Sequence, residues 1–243
     1  MALSDWIFGR SPTPPQQRGA MKAAGRTLQT PVVQADRVPE GDFRFIALDV
    51  ETACGDAASI CQIGVACVQS DNQIQTFSML VNPGTRFDPF NIQLHGIGPE
   101  HVADAPRFPA ALNALLPLLE RHHLVQHSSF DKRALNAACA ACNLAAPDLR
   151  WSDSVMIARR AWPELKGNGG HGLGNLKRVL NLQFQHHDAG EDARAAAMVV
   201  LQAEARLSMP FEQLTVAQGK SRFPAGPSGR ALLRQLRAEA PEI

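Results

Sequence analysis

The sequence predicts an α/β domain in which a mixed β-sheet is flanked by α-helices. Three β-type runs follow one another after residue 43, separated by the turn-like segments "GDAAS" and "SDNQ". Beyond them, runs with helical spacing of apolar residues surround a short strand-like run, "LVQH". The chain has 243 residues, of which 45% are hydrophobic and 19% charged. This length and composition suit a globular protein, built as one medium domain with extensions or as two small domains.

The elements of the domain can be assigned in chain order. Residues 1–41 are rich in Pro, Gln, Arg and Gly and are expected to form a flexible N-terminal extension. The domain is expected to cover residues 42–208. It begins with "FRFIALDV", "ICQIGVACVQ" and "IQTFSMLVNP", which predict three antiparallel strands in a meander.

Helical patterns follow this meander. The run "FPAALNALLPLLERHH" has apolar spacing near 3.6, although Pro117 is expected to kink or divide the helix. After the strand "LVQH", a helix is predicted from Asp131 to Cys142, and a long helix is predicted for "AGEDARAAAMVVLQAEARL". Residues 209–243 are basic and are expected to be loosely ordered, apart from a short helix at "RALLRQLRA".

Composition excludes several classes of protein. The formal net charge of +1 gives no global field to attract nucleic acid, so any such partner must be held by a local patch or by metal. The five cysteines cannot all pair, and their position in apolar runs is typical of reduced thiols in a cytoplasmic protein. No secretory signal and no apolar window long enough to cross a membrane is found in the sequence.

Two acidic residues end the first strand. In "FRFIALDVET" the side chains alternate between faces, so Asp49 and Glu51 share a face with Phe45 and Ala47. Two like charges on a half-buried face repel each other and are costly to desolvate. A divalent cation would compensate both effects, and the sequence therefore suggests a metal site here.

Further acidic clusters lie at Asp131, which opens a helix, and in "QFQHHDAGEDARAAA". In the second of these, Asp188 and Glu191 fit a capping box, with Asp188 as the N-cap. His187 then precedes the cap and is expected to fold back against Asp192, the fourth helical residue. This geometry makes His187 and Asp192 candidate site partners, while Asp188 and Glu191 are interpreted as structural.

The motifs "DVET", "HSSFDKRAL" and "HDAGEDA" resemble those of the DEDDh family of DnaQ-like 3′–5′ exonucleases, which includes the proofreading epsilon subunit of bacterial DNA polymerase III. The resemblance extends to "LVNPGTRFDPFNIQLHGI" and covers residues 43 to about 207. A sister subfamily uses tyrosine in place of the histidine, and this chain contains no tyrosine. The resemblance implies a ribonuclease H-like fold and hydrolysis of phosphodiester bonds.

The resemblance also implies roles for the acidic residues. Two divalent ions, Mg²⁺ or Mn²⁺, would be held by hard oxygen ligands. Asp49 would bridge both ions, Glu51 and Asp192 would complete the site on the nucleophile side, and Asp131 would hold the other ion. His187 would accept the proton of the attacking water, since its ordinary pKa lies close to working pH.

Substrate contacts follow from the same resemblance. Thr52 and the backbone beside Ala53 would meet the terminal nucleotide and its 3′-OH, while His95 and Phe130 would lie near its base or backbone. Ser128 stands where many members of the family carry asparagine, which affects substrate positioning but removes no metal ligand. His95 is as well explained by a plain turn, because Gly96 and Gly98 lie beside it.

The expected partners are the 3′ ends of single-stranded DNA or RNA, with DNA favoured. Two alternatives stay open: an exoribonuclease of the same fold, and a non-catalytic subunit that binds nucleic acid or protein. The terminal extensions could dock on a replication or repair protein. Other residues have simpler interpretations: His186 as a surface residue, His127 as a hydrogen-bonded support, Cys139 and Cys142 as core or boundary thiols, and "GNGGHGLGN" as a flexible loop.

Overall fold

The structure, a computed structural model, describes residues 32–183 and 187–215. Its β-sheet has six strands in the order β1-β4-β3-β2-β5-β6. The strands are β1 (Val32–Gln34), β2 (Phe45–Thr52), β3 (Ile60–Val68), β4 (Ile74–Leu80), β5 (Leu124–Gln126) and β6 (Trp151–Asp153). The helices are α1 (Pro89–His95), α2 (Phe108–Arg121), α3 (Phe130–Ala141), α4 (Ser154–Ala161), α5 (Leu173–Val179), α6 (Ala189–Leu207) and α7 (Phe211–Thr215), with a 3₁₀ turn at Pro163–Leu165.

The sheet is mixed, as the sequence predicts. Strands β2, β3 and β4 form the expected antiparallel meander, whereas β5 and β6 run parallel to β2 and to each other. Strand β1 pairs in parallel with β4, although it lies within the segment expected to be an extension. This pairing joins segments about 40 residues apart, and so short a strand carries little local signal.

Helices cover both faces of the sheet. On one face, Phe45 and Ala47 of β2 belong to a core that includes side chains of α4, α5, α6 and α7. On the other, Ile46, Leu48 and Val50 belong to a core built with α2 and α3. The alternation predicted for β2 therefore holds, and Asp49 and Glu51 point to the α6 side.

Helix α2 continues through Pro117. Pro117 is exposed, while the leucines on either side of it are buried against the sheet. The hydrogen bond that proline removes therefore lies on the solvent side, and the packing of the apolar face keeps the helix continuous.

Helix α7 extends the fold beyond residue 208. Its Phe211 is buried and stacks on Phe45, with ring centroids 4.4 Å apart. The predicted short helix at "RALLRQLRA", most of the basic tail and residues 1–31 lie outside the described residues. None of the helices in the described part of the chain has the length and apolar character needed to cross a membrane.

Candidate active site

The site is built on the end of β2. Glu51 is 9% exposed and Asp49 is partly buried, at the point where α6 crosses β2 and β3. Across the antiparallel pair, Asp49 lies opposite Gly64 and Glu51 opposite Gln62. The strand thus delivers both carboxylates to the gap between the sheet and the start of α6.

Asp131 reaches this strand end from the opposite face. It lies in the first turn of α3 and is 2% exposed. Its Oδ1 accepts a hydrogen bond of 3.2 Å from the backbone N–H of Val50, the residue between Asp49 and Glu51. This contact fixes the third carboxylate beside the first two.

The first turn of α6 and the residues before it position the other two groups of the site, His187 and Asp192. Asp188 is the N-cap, and its side chain accepts a 3.0 Å hydrogen bond from the N–H of Glu191. His187 adopts a left-handed conformation with φ of 70°, and its backbone N–H donates to Oδ2 of Asp192 over 2.9 Å. These contacts confirm Asp188 as the N-cap and the predicted fold-back of residue 187 onto Asp192, whereas the Glu191 side chain pairs with Arg194 instead of completing a capping box.

Three of the predicted site residues meet closely. Glu51, His187 and Asp192 each offer one ligand atom, and these atoms all lie within 4.8 Å of one another. Carboxylate oxygens and an imidazole nitrogen at this spacing suit a divalent cation. The donors come from distant parts of the sequence, as the motifs predict.

The electrostatics of the cluster favour the binding of positive charge. The pKa of Asp49 is raised well above its ordinary value, first by burial and then by the charges of Asp131, Asp192, Glu51 and Asp188. Burial, followed by the charges of Asp192 and Asp131, raises the pKa of Glu51 to about 8. Each of these effects disfavours the carboxylate form, and bound cations would reverse them.

The pKa of Asp131 is also raised, and here two effects compete. Burial raises it most, while the hydrogen bond from the Val50 N–H lowers it. The charges of Asp192 and Asp153 add to the increase. The donor set of Asp49, Glu51, Asp131 and Asp192 therefore fits hard divalent ions such as Mg²⁺ or Mn²⁺ on chemical grounds.

This electrostatic arrangement predicts how stability depends on pH. The pKa of Glu51 rises from 4.5 to about 8 in the folded protein. The contribution of this carboxyl group to the free energy of unfolding is therefore fully present below about pH 4.5 and is lost as pH rises to about 8. Without metal, we expect the melting temperature to fall by about 5 °C or more between pH 5 and pH 8.5. Calorimetry in EDTA measures this fall, and Mn²⁺ or Mg²⁺ should reverse it at pH 8.5.

The Glu51→Gln variant is the control for this experiment. Glutamine cannot ionise, so the metal-free variant should show a smaller fall in melting temperature over the same pH range. A melting temperature that rises with pH in the metal-free wild type would contradict the described electrostatics.

The predicted substrate residues Thr52 and His95 support the edge of the site. Thr52 is 8% exposed, and its carbonyl accepts a 2.8 Å hydrogen bond from the Asn91 side chain. Nδ1 of His95 accepts from the N–H of Ile97, so Nε2 carries the proton and donates to the same Thr52 carbonyl over 3.1 Å. Burial lowers the pKa of His95. Both contacts hold α1 against the end of β2.

Ala53 is fully buried. Its N–H donates to the carbonyl of Ser59 and its own carbonyl accepts from the N–H of Asp88, each over 2.8 Å. The contact of this backbone with a substrate stays a prediction. Beside it, α1 exposes Phe90 and Leu94, with 71% and 39% of their surfaces accessible.

Ser128 and Phe130 border the site at the end of β5. Ser128 is exposed and has a φ of 91°, and its N–H donates to Oδ1 of Asp153 over 3.2 Å. Phe130 is partly buried, with the Arg133 guanidinium 5.3 Å from its ring centroid. Their roles in substrate binding stay predictions.

Some supporting residues escape sequence reasoning. Gln62 of β3 bonds to the start of α6, and Asn91 and Asp153 fix backbone groups near the site. Gly64 allows α6 to approach, because a Cβ there would lie 2.1 Å from the carbonyl carbon of Ala189. The sequence carries one signal for Gln62 and Gly64, because they are a polar residue and a glycine in the otherwise apolar strand "ICQIGVACV".

Most of the simpler interpretations of other residues agree with the structure. The run "GNGGHGLGN" is an exception, because it continues into α5 and its His171 is 8% exposed and bonds to the carbonyl of Trp162. His127 bonds to the Ser154 hydroxyl and to the carbonyl of His171, as expected of a support. Glu191 pairs with Arg194. All five cysteines are free thiols, with Cys139 buried and Cys142 partly buried. His186 lies outside the described residues.

Known proteins resemble this chain in sequence and in structure. Residues 46–200 match the exonuclease family RNase T. The DNA polymerase III PolC-type of Streptococcus pyogenes serotype M2 is 29% identical over 160 residues, which are 64% of this chain and 11% of that protein. The 3′-5′ exonuclease DinG of Bacillus subtilis is 27% identical over 177 residues, 70% of this chain and 19% of that protein. The chain thus matches only a minor part of the length of these relatives.

The solved structures that share the fold include two nucleases. Exonuclease X in complex with 5′ overhanging duplex DNA superimposes with a TM-score of 0.58 at 23% identity, covering 72% of this chain and 99% of that one. The nuclease domain of 3′hExo, a DEDDh family member bound to rAMP, gives a TM-score of 0.55 at 19% identity, covering 68% and 93%. With more than half of its residues matched, this chain belongs to the RNase T exonuclease family and has the ribonuclease H-like fold that its DEDDh motifs predict.

Proposed function

We propose that this chain is a metal-dependent 3′–5′ exonuclease that releases nucleoside 5′-monophosphates from single-stranded ends. The proposal is carried by one observation: Glu51, His187 and Asp192 offer ligand atoms within 4.8 Å of one another. Beside them, burial and then the charge of Asp131 raise the pKa of Asp49. This combination suits hydrolysis of a phosphodiester.

Each residue has a stated role in this proposal. Asp49, Glu51, Asp131 and Asp192 would hold two divalent ions. When bound, the ions supply positive charge at the scissile phosphate and lower the pKa of the nucleophilic water. His187 accepts the proton of that water, and its unusual φ of 70° keeps the ring beside Glu51 and Asp192.

The substrate is expected to be an unpaired 3′ end. Helix α1 is bonded to Thr52 and exposes Phe90 and Leu94, and apolar side chains next to such a site can pack against unstacked bases. DNA is favoured over RNA because the relatives include a DNA polymerase III of the PolC type. RNA remains the alternative, since one structural neighbour recognises a histone mRNA stem-loop.

The test is a time course on matched single-stranded DNA and RNA oligonucleotides. A 3′-terminal label should be released as a mononucleotide from the first time point, while a 5′-labelled strand should shorten one nucleotide at a time. Both signals should require Mg²⁺ or Mn²⁺ and should disappear in EDTA, and DNA should be degraded several-fold faster than RNA.

Three results would overturn parts of this proposal. Early release of the 5′ label would reject the polarity, and equal rates in EDTA would reject metal dependence. Faster hydrolysis of RNA would replace the DNA preference with the exoribonuclease alternative.

A further inference from the structure

Gln62 is a buried polar residue in the middle of the sheet. It lies on β3, is 7% exposed, and stands directly opposite Glu51 in the antiparallel register. A buried amide is costly to desolvate unless both its donor and its acceptor are satisfied. The hydrogen-bond partners of Gln62 therefore indicate which part of the structure it stabilises.

Both ends of the Gln62 amide bond to the first residues of helix α6. Its Nε2 donates to Oδ2 of Asp188 over 3.1 Å, and its Oε1 accepts from the N–H of Ala189 over 3.1 Å. The other oxygen of Asp188 accepts from the N–H of Glu191. One side chain thus ties the N-cap and the first backbone donor of α6 to the strand beside Glu51.

Helix α6 lies very close to strand β3 at this point. The backbone of Ala189 approaches Gly64 so closely that a Cβ at residue 64 would lie 2.1 Å from it. His187 and Asp192 flank this first turn, and the N–H of His187 bonds to Asp192. Any shift of the α6 entrance therefore moves both groups relative to Glu51.

We infer that Gln62 is a positioning residue that fixes the entrance of α6, and through it His187 and Asp192, opposite Glu51. The inference rests on the proposed function, because it concerns the same site. An amide is required for this role, since Asp188 needs a donor while Ala189 needs an acceptor. No other uncharged side chain of this length offers both.

The Gln62→Glu variant tests this requirement with almost no change in shape. The new carboxylate keeps an acceptor for Ala189 but loses the donor and faces the Asp188 carboxylate. We expect kcat on a single-stranded oligonucleotide to fall by about 10-fold to 100-fold, with KM within about 2-fold of wild type. In metal-free protein, hydrogen exchange at residues 187–192 should become faster.

Combining Gln62→Glu with Asp188→Asn should restore the missing bond. The new asparagine amide can donate to the new carboxylate, while its oxygen still caps Glu191. We expect kcat to return to within about 3-fold of wild type and exchange at residues 187–192 to slow again. A merely destabilising effect of the first substitution would not be repaired by this second one.

Gln73→Glu is the matched control. Gln73 donates to Asp71 over 2.9 Å in the exposed turn at the far end of β3, so the same substitution places two carboxylates side by side away from the site. Its activity should equal that of wild type. Gln62→Asn, which keeps the amide but is too short, is a second variant and should lose activity without rescue by Asp188→Asn.

The outcomes separate this inference from the proposed function. A wild-type protein inactive on all oligonucleotides would reject the proposed function, and the hydrogen-exchange comparison would still test the role of Gln62. An active wild type with Gln62→Glu activity within 2-fold would overturn the inference. A folded Gln62→Glu protein that Asp188→Asn fails to rescue would overturn it as well.

Discussion

Replacing Asp49 with asparagine is expected to abolish hydrolysis, lowering kcat at least about 1,000-fold. Asp49 lies at the centre of the carboxylate cluster, and the charges of Asp131, Asp192 and Glu51 all act on it. In the proposed mechanism its carboxylate would help to hold the ions, and a neutral amide cannot replace that charge. A quantitative assay on 3′-labelled single-stranded DNA measures the loss.

The same substitution should stabilise the metal-free protein. Burial and four neighbouring carboxylates disfavour a charge at Asp49. Removing that charge relieves the repulsion, so the melting temperature in EDTA at pH 8 should rise by several degrees. Loss of activity together with a gain of stability is not the result of misfolding, and this pair of measurements therefore isolates the chemical role.

Asp148→Asn is a suitable control because Asp148 is exposed and lies outside the cluster. It should change neither activity nor melting temperature. An Asp49→Asn protein with more than a tenth of wild-type activity would contradict the proposed metal site, and the remaining carboxylates would then have to be reassigned.

The fold was predictable where its signals are local. The alternation in β2 and the antiparallel meander are visible in the spacing of apolar residues. Strand β1 and helix α7 lie in the segments that the sequence predicts to be extensions, because each is short and is stabilised by distant partners. Phe211, for example, stacks on Phe45, and the residues next to Phe211 in the sequence do not predict that contact.

Part of the site was predictable because it also depends on a local signal, the cap of helix α6. Asp188 caps α6 as the sequence predicts, and the position of residue 187 just before this cap accounts for its contact with Asp192. The contacts of Gln62 with α6 and of Asn91 with Thr52 join segments that no local pattern relates. Such tertiary hydrogen bonds depend on register and packing, which sequence spacing alone does not specify.

His187→Ala is expected to lower kcat by about 100-fold to 10,000-fold at neutral pH, the usual effect of removing a general base. The wild-type rate should rise with pH as the imidazole becomes neutral and then level off. In the variant, the remaining rate should increase with hydroxide concentration over the same range, because hydroxide replaces the lost base. A pH–rate profile of both proteins measures this difference.

The competing interpretation is that His187 serves only as a metal ligand, since its ring nitrogen lies within 4.8 Å of carboxylate oxygens of Glu51 and Asp192. A general base can be removed while the carboxylates still bind the ions, so Mn²⁺ should raise the melting temperature of His187→Ala as much as that of wild type. His101→Ala, at an exposed histidine, should match wild type in both assays. If His187→Ala instead loses the stabilisation by Mn²⁺ and recovers its rate in excess Mn²⁺, the histidine holds metal, and the proton of the nucleophilic water must pass to another group.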